Sequence, residues 1–176
     1  MPPPRAFEEI VLPHLDAAFN YARWLTRQDA EAEDVVQDAC VRAMRFLPSF
    51  RGEDARAWLF TIVRNTWYSR VGRRPAVIEP LPSDHAEDAP ADEALNPEAR
   101  LLQQRDIARV REALEELPVD FREVLVLREI EGLSYKEIAG VVQVPIGTVM
   151  SRIARARDRL AAVLNPSATG LVERLP

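Results

Sequence analysis

Apolar side chains recur at every third or fourth position through most of the chain, in runs separated by proline, glycine and clustered acids. From Phe7 to Arg27 they fall at 7, 10/11, 15, 18/19, 22 and 25, which predicts a helix that Pro13 interrupts. Asp29 is placed to cap a second helix reaching about Leu47, with Val35/Val36, Ala39/Cys40, Ala43 and Leu47 inward. The break Leu47-Pro48-Ser49-Phe50-Arg51-Gly52 precedes a third helix, about Asp54 to Val71, whose inward stripe is Ala55, Trp58/Leu59, Ile62 and Thr66. Farther on, Asn96-Pro97 reads as a cap followed by a first-turn proline, and that helix runs to Leu117, where Pro118 stops it. A helix from about Asp120 to Glu131 ends on Gly132, a residue suited to the left-handed turn beyond a helix. Ser134-Tyr135-Lys136-Glu137 has the capping-box pattern and starts a short helix ending near Val142. After Gln143-Val144-Pro145 a last helix runs to about Leu164, with Pro145 suited to its first position. Runs of β-branched residues bounded by turns hardly occur, so the fold class is all-α.

The stretch Gly72 to Pro97 breaks this pattern. It holds five of the fourteen prolines and the acids Asp84, Glu87, Asp88, Asp92 and Glu93, a composition that cannot bury enough apolar surface to fold. The chain therefore divides into two small helical domains, 6–74 and 98–164, joined by a flexible acidic Pro-rich linker at 75–97, with 165–176 as a C-terminal tail. Each lobe is small enough that its core is modest and its stability depends partly on partners.

Composition narrows the function classes. With 47% hydrophobic residues and a mean hydropathy of -0.20, no apolar run approaches the roughly 18 residues of a membrane span, and Met1-Pro2-Pro3-Pro4-Arg5 leads into no signal-peptide core. The expected location is a reducing cytoplasm, with no membrane insertion. One cysteine, Cys40, excludes a disulfide framework and any multi-thiolate metal site, and His14 and His85 leave little for zinc. No metal or cofactor is expected. A Gly-rich phosphate loop, a histidine beside a nucleophile and a pocket-like carboxylate pair are all missing from the sequence, so neither an enzyme nor a small-molecule substrate is indicated. Cys40 lies on the inward stripe beside Ala39 and Ala43, where a packed small residue is a better reading than a redox sensor.

A net charge of -5 and a pI near 5.2 argue against a nucleic-acid partner until the chain is divided. Residues 1–82 are neutral, 83–99 carry six acids and no base, and 100–176 carry a net +1. Two windows are clearly basic. Arg56 to Arg74 has five arginines and no acid, and Pro145 to Ala162 has four against Asp158. Local patches, not net charge, decide where a polyanion docks.

The last two helices, with their short turn, have helix-turn-helix spacing, whose second helix enters the major groove. On that helix Val149, Ile153, Ala156 and Leu160 form an inward stripe, and Thr148, Ser151, Arg152, Arg155 and Arg159 face the other way. Arginine bridges guanine edges or grips phosphate, and serine serves either. A solvated basic face on an ordinary bundle helix is the plain alternative.

The string Gly132-Leu-Ser-Tyr-Lys-Glu-Ile-Ala-Gly followed by Val144-Pro-Ile-Gly-Thr-Val-Met-Ser-Arg-Ile-Ala-Arg-Ala-Arg resembles region 4 of bacterial sigma factors. Ala32-Glu-Asp-Val-Val-Gln-Asp-Ala resembles region 2.2, and Trp58-Leu-Phe-Thr-Ile-Val-Arg-Asn regions 2.3 and 2.4. Both motifs in this order, with a linker and no region 3 between them, are similar to the extracytoplasmic function (ECF) sigma factors over about residues 6–164. The resemblance implies a dissociable subunit of RNA polymerase that selects and opens promoters, built from a region 2 helical bundle and a region 4 helix-turn-helix. Its partners would be the polymerase core, through the β′ coiled coil and the β flap, promoter DNA, and an anti-sigma factor.

Residue roles follow by position. Asp34, Gln37, Asp38 and Val41 share one helix face and would bind the β′ coiled coil. The window Asp29 to Asp38 has five acids and no base, which suits a protein partner better than DNA. For the −10 element, holding a base out of its stack costs a few kcal/mol, and stacking on aromatic groups returns about 1–3 kcal/mol. Phe50, Arg51, Asn65, Trp67 and Tyr68 are the candidates for that work, with Arg64, Arg70, Arg73 and Arg74 for phosphates. Trp58 reads as core, and Phe60 fits either role. For the −35 element, Ser151 and Arg155 would face base edges, with Arg152 on the backbone and Thr148 and the helix N-terminus at a phosphate. Ala154 leaves a weak contact there, and Lys136 fits a phosphate contact or a solvated lysine equally.

The two promoter elements of this family lie about 17 base pairs apart, or about 58 Å. A flexible strap of the linker's length spans about 25–30 Å on average and about 75 Å at full stretch, so the polymerase has to hold the lobes apart. A rival from another class is a stand-alone helix-turn-helix regulator using only 120–162, which leaves the Ala32–Asn65 motifs without a purpose.

Overall fold

The computed structural model describes residues 4–52, 54–72 and 97–166, and every regular element among them is helical. Arg73 and Arg74, the acidic linker up to Asn96 and the tail from 167 onward lie outside the described residues. Helix α1 spans Pro4–Ile10, and Pro13 places a single 3-10 turn, Leu12–His14, before α2, Leu15–Thr26. Arg27 then takes the left-handed conformation (φ 63°) and turns the chain into α3, Asp29–Phe46. Asp29 is therefore the first residue of α3, not its cap. Gln28 holds the cap position, with its carbonyl accepting from the Thr26 hydroxyl, and the Asp29 carboxylate is drawn to Arg23 instead.

The turn Leu47–Ser49 leads to α4, Ala55–Arg70, where Asp54, expected as the first helical residue, is the cap. Its carboxylate accepts the N–H groups of Arg56 and Ala57 at 2.9 and 3.1 Å. In the second half come α5, Pro97–Glu116, and α6, Val119–Leu125, which continues as one π turn, Val126–Ile130. Glu131 N–H bonding to the Val126 carbonyl closes that wide turn, and Gly132 (φ 68°) ends it. Pro118, ahead of Asp120, takes the cap position of α6. Helix α7, Tyr135–Val142, carries the full capping box: Ser134 Oγ accepts from Glu137 N–H at 3.1 Å, and Glu137 Oε2 from Ser134 N–H at 2.7 Å. Gln143, left-handed at φ 56°, turns the chain into α8, Ile146–Leu164, with Pro145 one position ahead of where its sequence suggests.

Alanines Ala32, Ala39 and Ala43 on α3 are fully buried, so α2 and α4 approach its backbone closely around Val35 and Tyr21. Trp58 packs half-buried against this core, and Phe60 is wholly inside, 5.2 Å ring to ring from Tyr21. Cys40 is half-buried, and burial pushes its thiol pKa up. The sequence implies two separate cores. Instead, the buried apolar residues of both lobes form one continuous cluster from Val11 to Ala156. Helix α4 causes this, because it packs on α2 and α3 and also on α7. A single inward stripe was expected on it, yet Phe60, Val63, Arg64, Trp67 and Tyr68 are buried as well.

Candidate functional site

Four groups of side chains follow from this packing. The first is the outer face of α3, where Asp34, Gln37, Asp38 and Val41 all stand exposed, with Met44 beside them. Arg70 of α4 reaches this face. Its guanidinium bonds Asp38 at 2.6 Å and lies 3.8 Å from Asp34. The sequence assigns Arg70 to phosphates, but α4 brings it beside acids of α3, Asp38 being 32 residues earlier, a pairing no local pattern reveals.

The second group lies on α4 and the loop before it. Arg51 is exposed, while Phe50 is half-buried and stacks on Trp58 at 5.0 Å. Asn65 is half-buried, and Trp67 and Tyr68, in edge contact at 4.8 Å, are buried. Arg64 is 3% exposed. Among the described residues, the basic-aromatic surface expected here is thus largely closed, with Arg51 and Arg70 left exposed and the second lobe packed on α4.

The third group is the cover itself. Glu123 of α6 accepts two bonds from Arg64, Nε at 2.9 Å and Nη2 at 3.1 Å, and one from the Tyr21 hydroxyl at 3.3 Å. The Arg64 guanidinium also lies 4.4 Å over the Tyr68 ring. Burial raises the pKa of Glu123, and the Arg64 guanidinium beside it opposes that shift. Arg122, the preceding residue, donates to the Trp24 carbonyl at 2.8 Å, across the lobes, and to the Glu115 and Leu117 carbonyls. Asn20 bonds Glu131 at 3.0 Å, and Arg23 lies 3.9 Å from Glu115. Tyr21, Arg122 and Glu123 were not among the sequence candidates. Each sits in an ordinary amphipathic run, and only the lobe pairing gives them a partner.

The fourth group is on the helix-turn-helix. Ser151, Arg155 and Lys136 are exposed, and Thr148 and Arg152 are half-buried. Thr148, Ser151, Arg152 and Arg155 line an open hollow of about 440 Å³ with Asp120 and Phe121. Arg159 stacks over the Phe121 ring at 4.5 Å, and Arg157 pairs with Glu129 on the other side of α8. Behind that side Ile107, Val110, Leu114, Leu125, Ile130 and Leu160 line an apolar groove of about 530 Å³. So α8 presents a polar, cationic face to solvent while Val149, Ile153 and Ala156 fix it to the core.

Sigma-70 region 2 matches residues 10–75, and Sigma-70, region 4 matches residues 107–160. The RNA polymerase sigma-H factor of Pseudomonas aeruginosa is 39% identical over 92% of this chain and 88% of its own length. The ECF RNA polymerase sigma-E factor of Escherichia coli is also 39% identical, over 77% of this chain and 75% of its own length. The chain belongs to the ECF family of RNA polymerase sigma factors. Among solved structures, the sigma factor RpoE from Bartonella quintana, in complex with the anti-sigma factor NepR, superposes with a TM-score of 0.67 at 32% identity, covering 90% and 96% of the two chains. CnrH in complex with the cytosolic domain of CnrY gives 0.63 at 33%, covering 92% and 89%. This sigma factor is thus a transcription initiation factor and not an enzyme. The region 2 match occupies the lobe that a stand-alone regulator leaves unexplained. No described helix is long and apolar enough to cross a membrane.

Proposed function

We propose that this ECF sigma factor docks on the polymerase core through Asp34, Gln37, Asp38 and Val41, with the apolar groove of the second lobe receiving the β flap. Helix α8 reads the −35 element through Ser151 and Arg155, with Arg152, Thr148 and Lys136 on the backbone. Helix α4 and the preceding loop hold the −10 strand through Phe50, Arg51, Asn65, Trp67 and Tyr68, assisted by Arg64, Arg73 and Arg74. Arg70 serves first to orient Asp38 on the polymerase face. The factor works in the cytoplasm, with region 2 on residues 6–74 and region 4 on 98–164.

The observation that carries this reading is a contrast in exposure. The α3 face and the α8 face are open together, while Arg64, Trp67 and Tyr68 are buried and Glu123 of the other lobe sits on Arg64. A chain in this state can meet polymerase but cannot receive an unstacked base until its lobes part. That fits a factor active only as part of holoenzyme, and the closed pair is a natural target for an anti-sigma factor, the kind of partner named in the complex of the Bartonella quintana relative. Run-off transcription with core polymerase on a promoter library is the direct test. The wild-type chain should initiate, and Asp34→Ala with Gln37→Ala should weaken core assembly more than tenfold without lowering the melting temperature, since both side chains are exposed. Wild-type protein that assembles no initiating complex sinks the reading.

A further inference from the structure

Three groups of the first lobe converge around Glu123: the Arg64 guanidinium, the Tyr21 hydroxyl and the Tyr68 ring. The carboxylate does not use all they offer. Arg64 Nη1 and the Tyr68 hydroxyl, on residues 3% and 5% exposed, make no hydrogen bond to Glu123 or to any further residue, the two side chains lying against each other. Buried donors left idle beside a charged acceptor are rare in a settled core. They indicate a donor set laid out for more acceptor oxygens than a planar carboxylate supplies. A phosphodiester has two anionic oxygens and two ester oxygens in a tetrahedron, and arginine with hydroxyl donors is its usual protein environment. All three donors belong to α2 and α4, so parting the lobes keeps them together and removes only Glu123.

We propose that Tyr21, Arg64 and Tyr68 form a seat for a backbone phosphate of the melted promoter strand, and that Glu123 is the internal occupant that closes it in the free chain. The proposal rests on the assignment of α4 to the −10 strand. It adds Tyr21, from a helix not assigned to DNA, and makes Glu123 a competitor of the strand. Arg152 and Asp120 also face Glu123 electrostatically, one attracting and one repelling it. The seat itself gains only a sequence-independent phosphate, so the base preferences of the −10 element lie elsewhere on α4 and its loop.

The test uses the full chain with Cys40→Ala, dyes on Ala30→Cys and Ala162→Cys (both exposed), and Arg155→Ala to quiet the α8 face. The probe is a dT12 oligonucleotide, which supplies phosphates without promoter sequence. Glu123→Gln should lengthen the inter-dye distance and tighten dT12 binding at least tenfold. Adding Arg64→Met should abolish that gain, and adding Tyr21→Phe should remove part of it. With Glu123 intact, saturating dT12 should itself part the lobes, a measurement that needs no variant of the seat. Lobes that part with no rise in dT12 affinity, a rise that survives Arg64→Met, or lobes indifferent to both Glu123→Gln and dT12 would each overturn the proposal. Run-off transcription by the unsubstituted chain reports on the −10 assignment separately, so that reading can stand when the seat fails.

Discussion

Arg122 is 4% exposed and holds three carbonyls, those of Trp24, Glu115 and Leu117, at 2.8, 3.2 and 3.0 Å. Burial, and then Arg27 nearby, push its pKa down, so the site keeps a charge at a cost that these bonds must offset. Replacing it with methionine preserves the stem and removes the guanidinium. A hydrogen bond to a charged group contributes about 1.5–3 kcal/mol net, so three set a ceiling near 9 kcal/mol. Two effects reduce this. The charge no longer has to be desolvated, and the Trp24 carbonyl regains water if the lobes part. We expect a loss of about 2–4 kcal/mol, a large share of the 5–15 kcal/mol typical of a domain. Urea denaturation of the full chain checks it: the midpoint should fall with the slope unchanged. Arg122→Lys, able to reach fewer carbonyls, should fall between. A methionine variant within about 0.5 kcal/mol of wild type would refute the argument that this guanidinium ties α6 to both lobes.

Three further outcomes follow from single features. Gln143→Gly should stabilise the chain by about 0.5–1 kcal/mol in the same denaturation assay, because position 143 is left-handed (φ 56°) and only glycine adopts that without strain. Arg155→Ala should weaken holoenzyme binding to a −35 duplex by about 1–3 kcal/mol and relax preference at one base pair, measured by competition with substituted duplexes; a uniform loss across all sequences would make Arg155 a phosphate contact. Burial, then Glu123, push the Tyr68 phenol up to about 12 from 10.0, and Tyr21 shifts the same way. A raised phenol pKa supports the closed state fully below pH 10 and loses that support as pH rises through about 12. Phenolate absorbance and inter-lobe distance should therefore change together in that window, and phenolate formation complete near pH 10 with no lobe motion would contradict it.

The helices and most of their ends were legible because their causes are local. Asp54, Ser134 with Glu137, and Gly132 act within a turn of their own position, and Pro13 interrupts α1 and α2 where it stands. Misplaced starts had equally local reasons. Proline at 118 and 145 occupies a cap position that its lack of N–H permits, and Arg27 turns left-handed although nothing in its chemistry announces it. The α8 face was legible too, since Ser151 and Arg155 stand opposite Val149 and Ile153 at helical spacing. What escaped was every feature that needs two helices from different lobes. Arg64 and Glu123 are 59 residues apart, and Tyr21 and Glu123 are 102 apart. Helical periodicity cannot encode a partner at such a separation.

Helix α4 illustrates why that gap coincides with function. The covered face of a helix should be apolar, yet α4 has Arg64 in its covered face and Thr66, Trp67 and Tyr68 close by. A core selected only for stability would place leucine or methionine where Arg64 stands, because a buried ion pair seldom outperforms apolar packing of the same volume. On the proposed function, the guanidinium has a second, wet or DNA-bound environment to serve once the cover lifts. Local rules and the closed packing thus disagree at the residues proposed to hold the strand, the pattern expected where function overrides consistency. The acidic α3 face, by contrast, is exposed in the closed chain and shows no such conflict. On the proposed assignments, polymerase docking would come first, and lobe opening, with exchange of Glu123 for the strand, would follow on the enzyme.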